Sequence, residues 1–243
     1  MRLKNKISII TGSSAGIGAE IARAFAREGA ITVITYKTHK AEAELLASEI
    51  GCELVLPLDV VDRKSIRRVM KSTVDRYGRV DILVNNAGVN ITGDFDQITD
   101  EQWNTVLNVD LKGVFLCCQE VLPYICNNGR IINIGSLSGE YGGPRTPSYA
   151  AAKAGVMALT HCLARFVGHR GITVNCLSPG VIESELTAKS MPPELKEKIL
   201  PQILLGRLGR YEEVASAAVF LASDESSYVT AQTISPNGGV WVR

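Results

Sequence analysis

The chain has 243 residues, 46% of them hydrophobic, which is enough to build one large core. Its 26 Lys and Arg nearly balance its 25 Asp and Glu, and the basic residues are scattered, which argues against a nucleic-acid or anionic-membrane partner. The composition therefore predicts a single domain over residues 1–243 that acts on a small-molecule partner.

Short apolar runs rich in β-branched residues alternate along the chain with stretches of helical period. Strands are predicted at 7–10, 31–36, 53–58, 81–84, 130–136, 172–179 and around 233–236. Helices are predicted at 17–29, 40–50, 65–78, about 100–126, 149–168 and 211–223. The alternation predicts an α/β fold, a doubly wound (Rossmann) three-layer sandwich around a mostly parallel sheet of about seven strands.

One stretch, at about 182–205, lacks clear periodicity and contains three prolines. Because it follows the carboxyl end of a predicted strand, where ligands bind in open α/β sheets, it is predicted to be a substrate lid. A loosely packed surface excursion is the alternative.

The sequence shows no clear pattern of a signal peptide, a membrane span or a metal site. The opening MRLKNKISIITG reaches a glycine turn too early for a signal peptide, and no apolar run reaches the roughly 18 residues of a membrane span. The six cysteines show neither CxxC spacing nor a downstream His pair, so a metal site is not expected. These patterns favour a cytoplasmic protein.

The sequence TGSSAGIG, at 11–18, lies between the first predicted strand and the first helix. Its glycines allow the backbone to approach a pyrophosphate, and the helix start offers unpaired N–H groups and the positive end of its dipole. The turn therefore predicts a dinucleotide site. A plain turn is the alternative, since the spacing differs from GxGxxG.

The end of the second strand, Thr35-Tyr36-Lys37, distinguishes between two cofactors. An NAD site usually places a carboxylate here to bind the ribose hydroxyls, but this chain has none. Lys37 can instead pair with a 2′-phosphate, so NADP(H) is favoured over NAD(H). The alternative is that Lys37 is a solvated surface cation.

These elements resemble the short-chain dehydrogenase/reductase family over essentially the whole chain. The NNAG sequence at 85–88 follows the fourth strand, Asp59-Val60 the third, and Pro179-Gly180 the sixth, as the family's motifs do. The resemblance implies that Asp59 contacts the adenine ring and that the Pro179-Gly180 backbone holds the nicotinamide. It implies that the cofactor is bound by Gly12, Ser14, Gly16, Ile17, Gly18, Lys37, Asp59, Val60, Asn86, Ala87, Gly88, Tyr149, Lys153, Pro179, Gly180, Ile182 and Ser184.

The same resemblance implies a catalytic set of Asn108, Ser136, Tyr149 and Lys153. Tyr149 and Lys153 stand one helical turn apart, and Ser136 lies thirteen residues before Tyr149. In carbonyl reduction, Tyr149 would donate the proton, the adjacent Lys153 ammonium would favour the phenolate, and Ser136 would stabilise charge on the substrate oxygen. Asn108 would support a proton-carrying water, with a helix-kink or packing role left open.

Within the family, the stretches VDILVNNAG, GRIINIGS, YAAAKAG and RGITVNCLSPGVIE resemble the 3-oxoacyl-(acyl-carrier-protein) reductases of fatty acid synthesis. That resemblance implies a 3-oxoacyl thioester substrate, acyl carrier protein as a candidate partner, and a homotetramer. Arg170 matches one basic docking residue, whereas Asn127-Asn128 occupy the other position. The alternatives are a free cyclic or acyl ketone, a sugar or a coenzyme A thioester as substrate, or a non-catalytic NADP sensor.

Overall fold

Strands and helices alternate along the part of the chain that the computed structural model describes, residues 1–183 and 197–242. The strands are β1 (Ile7–Ile10), β2 (Ile31–Tyr36), β3 (Val55–Pro57), β4 (Val80–Asn85), β5 (Ile125–Ile134), β6 (Thr173–Leu177) and β7 (Thr233–Ile234). The α-helices are α1 (Gly16–Arg27), α2 (Lys40–Ile50), α3 (Arg63–Tyr77), α4 (Asp100–Leu107), α5 (Gly113–Val121), α6 (Ser138–Tyr141), α7 (Pro147–Val167) and α8 (Tyr211–Ala222).

The described strands form one parallel sheet in the order β3-β2-β1-β4-β5-β6-β7. The chain reverses its direction of winding at β1, which pairs with β2 on one side and with β4 on the other. Ligands of such sheets bind where the order reverses, outside the carboxyl ends of the strands. The predicted doubly wound α/β sandwich is confirmed.

Apolar clusters cover both faces of the sheet. Ile10 and Ile34 point to a cluster that includes α1, α2 and α8, while their neighbours Ile9 and Val33 point to one that includes α3, α5 and α7. Burying each such side chain contributes roughly 1.5–3 kcal/mol. Because both faces are covered, the central strands are mostly apolar on both sides rather than strictly alternating.

The predicted helix from about 100 to 126 is wrong in its middle and at its end. A wider, π-helical turn, Asn108–Lys112, joins α4 to α5, and within it the amide of Gly113 bonds to the carbonyl of Asn108. The helix ends at Val121, and β5 begins at Ile125, which pairs with Val80 and is 2% exposed. Burial of Ile125 in the sheet outweighs the local helical period.

The predicted lid at about 182–205 lies largely outside the described residues, which stop at Glu183 and resume at Glu197. In its described parts, Ile182 is buried and forms an isolated parallel bridge with Gly209, and Leu200–Gln202 form a short 3-10 helix. The lid therefore stays a prediction. None of the described helices combines the length and apolar composition needed to cross a membrane.

Candidate active site

The turn after β1 is held by hydroxyl side chains as well as by glycines. Thr35 Oγ1 donates to the carbonyl of Ile10 at 2.8 Å and accepts from the amide of Gly12 at 3.1 Å. Ser13 Oγ donates to the same Ile10 carbonyl at 3.0 Å. Gly12 has a φ of +63°, and a Cβ there would lie 3.0 Å from Cα of Ala87. A side chain at position 12 would therefore push the turn away from the loop after β4.

The N-terminus of α1 has no side-chain cap and no acid in its first turn, so its backbone donors are left for a ligand. Its N-cap residue is Ala15, which provides no side-chain acceptor. A Cβ on Gly18 would lie 2.6 Å from the carbonyl oxygen of Gly12, so Gly18 allows the helix to start tight against the turn. This cradle fits a pyrophosphate group. The other predicted contacts in the turn are the half-buried Ser14, Gly16 and Ile17.

Asn86 ties the loop after β4 to the glycine turn. Its side-chain amide donates to the carbonyl of Thr11 at 3.0 Å and to that of Gly12 at 2.9 Å. The backbone amides of Asn86 and Ala87 both donate to Thr11 Oγ1 at 2.9 Å. The structure thus brings the predicted Asn86 and Ala87 against the turn, and the exposed Gly88 follows them.

Lys37 and Asp59, predicted to bind different parts of the cofactor, form an ion pair. Lys37 Nζ lies 2.8 Å from Asp59 Oδ2, at the ends of β2 and β3, and its side chain is 60% exposed. Burial alone would raise the pKa of the Asp59 carboxyl, but hydrogen bonds from Lys37 and from the amide of Val61 lower it below its ordinary value. Val60 is 7% exposed and packs against Gly113 at the start of α5.

Tyr149 and Lys153 lie together on α7, beside the end of β5. Lys153 Nζ is 5.4 Å from the centroid of the Tyr149 ring and donates to the carbonyl of Ile134 at 2.9 Å. Ser136 follows two residues after Ile134, and its Oγ accepts from the amide of Ser138 at 3.2 Å. Ser136 and Tyr149 are half-buried, whereas Lys153 is 3% exposed.

Close backbone packing fixes this arrangement. Gly139, in the segment after Ser136, lies against α7 so tightly that a Cβ would meet the amide nitrogen of Ala154 at 2.7 Å. The ammonium of Lys153 would have its pKa lowered by burial, but Tyr149 and Asp110 raise it above its ordinary value. Lys153 is therefore a buried cation at neutral pH.

The residue that the π-helical turn directs to Lys153 is Asp110 rather than the predicted Asn108. Asp110 is fully buried, and its Oδ2 lies 3.2 Å from Lys153 Nζ. Asn108 is exposed, and its side chain makes no hydrogen bond to a described residue. The proton-relay role of Asn108 stays a prediction, and Asp110 joins the site in its place beside the lysine.

The loop after β6 reaches the same end of the sheet. The carbonyl of Pro179 accepts from the amide of Leu137 at 3.1 Å, which links this loop to the segment containing Ser136. A Cβ on Gly180 would lie 2.7 Å from Cα of Asn237. Ser184, predicted to bind the nicotinamide carboxamide, lies outside the described residues.

Sequence reasoning missed three supports of the site: Thr11, Thr35 and Asp110. The two threonines stand at the ends of β1 and β2, and hydroxyl residues flanking a glycine turn are a weak signal for such bonds. Asp110 had no signal, because it lies in a π-helical turn that no local pattern reports. The same turn packs against α7, where Gly155 allows Leu111 to approach closely.

Known proteins are similar to this chain in both sequence and fold. The sequence model of a family described as "Enoyl-(Acyl carrier protein) reductase" matches residues 12–241. A solved short-chain dehydrogenase/reductase double mutant from Serratia marcescens has a TM-score of 0.92 and 32% identity, covering 99% of each chain. A blue fluorescent protein from a metagenomic library, solved in complex with NADPH, has a TM-score of 0.93 and 31% identity over the full length of both chains.

Together the fold, the site and these similarities define an oxidoreductase with a nicotinamide cofactor, and the chain belongs to the short-chain dehydrogenase/reductase family. Among its curated relatives, the 3-oxoacyl-(acyl-carrier-protein) reductase of Thermotoga maritima is 44% identical over 246 residues, covering 99% of each chain. The Vibrio harveyi protein of the same name is 40% identical over 245 residues, covering 100% of each.

Proposed function

We propose that this protein is an NADP(H)-dependent 3-oxoacyl-(acyl-carrier-protein) reductase, which reduces the ketone of a 3-oxoacyl thioester to a secondary alcohol. The observation that supports the proposal is the contact of the Lys153 ammonium with the Tyr149 ring and with the carbonyl of Ile134, two residues before Ser136. The near full-length identity to reductases of that name supports the choice of substrate.

The residues divide the chemistry of ketone reduction among themselves. The nicotinamide, when bound, supplies the hydride. Tyr149 donates a proton to the ketone oxygen, and Ser136 donates a hydrogen bond to the same oxygen as negative charge develops on it. The Lys153 ammonium, fixed by the carbonyl of Ile134, stabilises the phenolate that Tyr149 becomes after donating its proton. Lys153 would also hold the nicotinamide ribose.

The two ends of the cofactor would be held by different parts of the chain. Gly12, Gly16 and Gly18 would hold the pyrophosphate at the start of α1, together with Ser14, Ile17 and the loop 86–88. Asp59 and Val60 would border the adenine. The loop containing Pro179, Gly180 and Ile182 would support the nicotinamide.

Lys37 is proposed to select NADPH through the 2′-phosphate, which would take over from Asp59 as its anionic partner. Replacing Lys37 with Ala should lower kcat/KM for NADPH by about 10-fold, because a charge-assisted hydrogen bond contributes roughly 1.5–3 kcal/mol. The same change should leave kcat/KM for NADH within about threefold. Initial rates with each coenzyme measure the effect.

The matched control is Lys71→Ala, which removes an exposed lysine that is also ion-paired with a carboxylate, that of Asp75 on α3. It should change neither coenzyme's kcat/KM. A wild-type protein with the same kcat/KM for NADH as for NADPH would contradict the cofactor assignment. A Lys37→Ala variant that loses kcat/KM equally with both coenzymes would also contradict it.

The contacts of Arg170 favour a second candidate function, in which the substrate is a coenzyme A thioester or a free ketone. Its guanidinium donates to the carbonyls of Leu122, at 3.0 Å, and Ile125, and to Oδ1 of Asn127 at 3.1 Å. These bonds fix the connection between α5 and β5 and use three of the five donors that an acidic carrier protein could bind. Docking of a carrier protein therefore depends on other basic residues.

The substrate proposal is tested by following NADPH oxidation with acetoacetyl-acyl carrier protein, acetoacetyl-coenzyme A and a free cyclic ketone. We expect the highest kcat/KM with the carrier-bound thioester. An equal or higher value with the coenzyme A thioester or the ketone would overturn the role of the carrier. Binding of NADPH without turnover of any carbonyl would instead identify a non-catalytic sensor.

We also propose that the chain is a single domain, that it is cytoplasmic and that it assembles as a homotetramer. Phe115 on α5 is 42% exposed and Phe166 on α7 is 66% exposed. Large apolar side chains exposed on α5 and α7 support packing of these helices against other copies of the chain.

A further inference from the structure

Asp110 is a buried carboxylate at a position where a neutral side chain such as Asn could make the same backbone hydrogen bond. It occupies the centre of the π-helical turn, is fully buried, and faces Lys153 Nζ at 3.2 Å. Its other oxygen, Oδ1, accepts from the amide of Val89 at 2.7 Å. An Asn side chain could accept that same bond without the cost of desolvating a charge, so the hydrogen bond to Val89 does not explain the carboxylate.

The surrounding chain leaves space for this second oxygen. A Cβ on Gly88 would lie 2.7 Å from Asp110 Oδ2, so a side chain at position 88 would displace the carboxylate. The partner of Oδ2 is the Lys153 ammonium, with which it forms an ion pair. The NNAG loop and the π-helical turn thus hold one carboxylate oxygen against Lys153.

Two titratable groups besides Asp110 face this ammonium among the described residues. Tyr149 faces it from its own helix, and Cys176 faces it from β6. Burial raises the pKa of the Cys176 thiol to about 12, so this group is neutral across the working range of an enzyme. Burial also raises the pKa of Asp110, while Lys153 and the amide of Val89 act to lower it. Asp110 is therefore the counter-ion that competes with a Tyr149 phenolate for Lys153.

We propose that Asp110 is a positioning residue that fixes the Lys153 ammonium and offsets part of its positive charge. Because of this offset, Tyr149 would lose its proton at a higher pH than it would beside an unpaired lysine. A lysine with no counter-ion would stabilise the phenolate more strongly. Asp110 would offset part of this effect, which suits a neighbouring group that donates a proton during reduction. This inference deepens the proposed function and rests on it for its catalytic meaning.

The test is a titration of Tyr149 that does not depend on turnover. The ultraviolet difference absorption between the protein and its Tyr149→Phe variant reports the phenolate of Tyr149 as the pH is raised. We expect Asp110→Asn to lower the midpoint of this titration by about one pH unit, the lower end of the effect of an adjacent charge. In alcohol oxidation with NADP+, the pH profile of kcat should shift in the same direction.

Asp110→Glu is the matched control, since it keeps the charge and should leave the midpoint near that of the wild type. If Asp110→Asn does not fold, Asp110→Ser, which is neutral and can still accept the Val89 amide, takes its place. An unchanged or raised midpoint in the neutral variant would overturn the inference, as would an equal shift in Asp110→Glu. A lowered midpoint without turnover of any carbonyl would support the coupling while refuting the proposed function.

Discussion

Replacing Tyr149 with Phe is expected to lower kcat for ketone reduction by at least about 100-fold, because general acid groups contribute roughly that factor or more. The change removes one hydroxyl and keeps the ring that lies 5.4 Å from Lys153 Nζ. The residues proposed to hold the pyrophosphate and adenine are untouched. The dissociation constant for NADPH should therefore stay within a few-fold of the wild-type value.

Steady-state rates with a saturating carbonyl substrate and a fluorescence titration with NADPH separate these two effects. Tyr77→Phe is the control, since it removes a phenol at the C-terminal end of α3, away from the carboxyl ends of the strands. It should retain full kcat. If Tyr149→Phe retains more than about a tenth of kcat, another group delivers the proton and the role given to Tyr149 is wrong.

Strands at the centre of the sheet could be predicted closely because both of their faces are buried. The runs at 7–10 and 31–36 match β1 and β2 in their bounds, since β-branched residues end there at glycine or polar residues. The region from 100 to 126 could not be predicted in the same way. A single π-helical turn is too short to leave a period of its own in the sequence, and β5 starts at Ile125, where it pairs with Val80.

The candidate site shows the same division between local and non-local information. A spacing of four residues on a helix places Tyr149 and Lys153 on one face, and the structure has them there. The pairing of Lys37 with Asp59 joins the ends of two neighbouring strands, so no local pattern reports it. Asp110 lies in the π-helical turn and faces Lys153, whereas Asn108 was predicted from the family resemblance.

Replacing Lys153 with Met is expected to destabilise the fold by about 3 kcal/mol at neutral pH, as well as removing activity. Lys153 and Asp110 are 4% and 0% exposed, and removing one partner leaves the other as an uncompensated buried charge. Denaturant unfolding measures the loss. The control is Lys71→Met, which breaks an exposed pair with Asp75 and should cost at most about 1 kcal/mol.

The pH dependence of this loss identifies Asp110 as its source. Burial already raises the pKa of Asp110, and without Lys153 the strongest opposing influence is gone, so its folded-state pKa lies above its unfolded one. The deficit of Lys153→Met relative to wild type should then be full at neutral pH and shrink as the pH falls through that folded-state value. The double variant Asp110→Asn with Lys153→Met should recover most of the loss at neutral pH, because neither side chain is then charged. A deficit that persists unchanged in the double variant would instead trace to lost packing of the lysine stem.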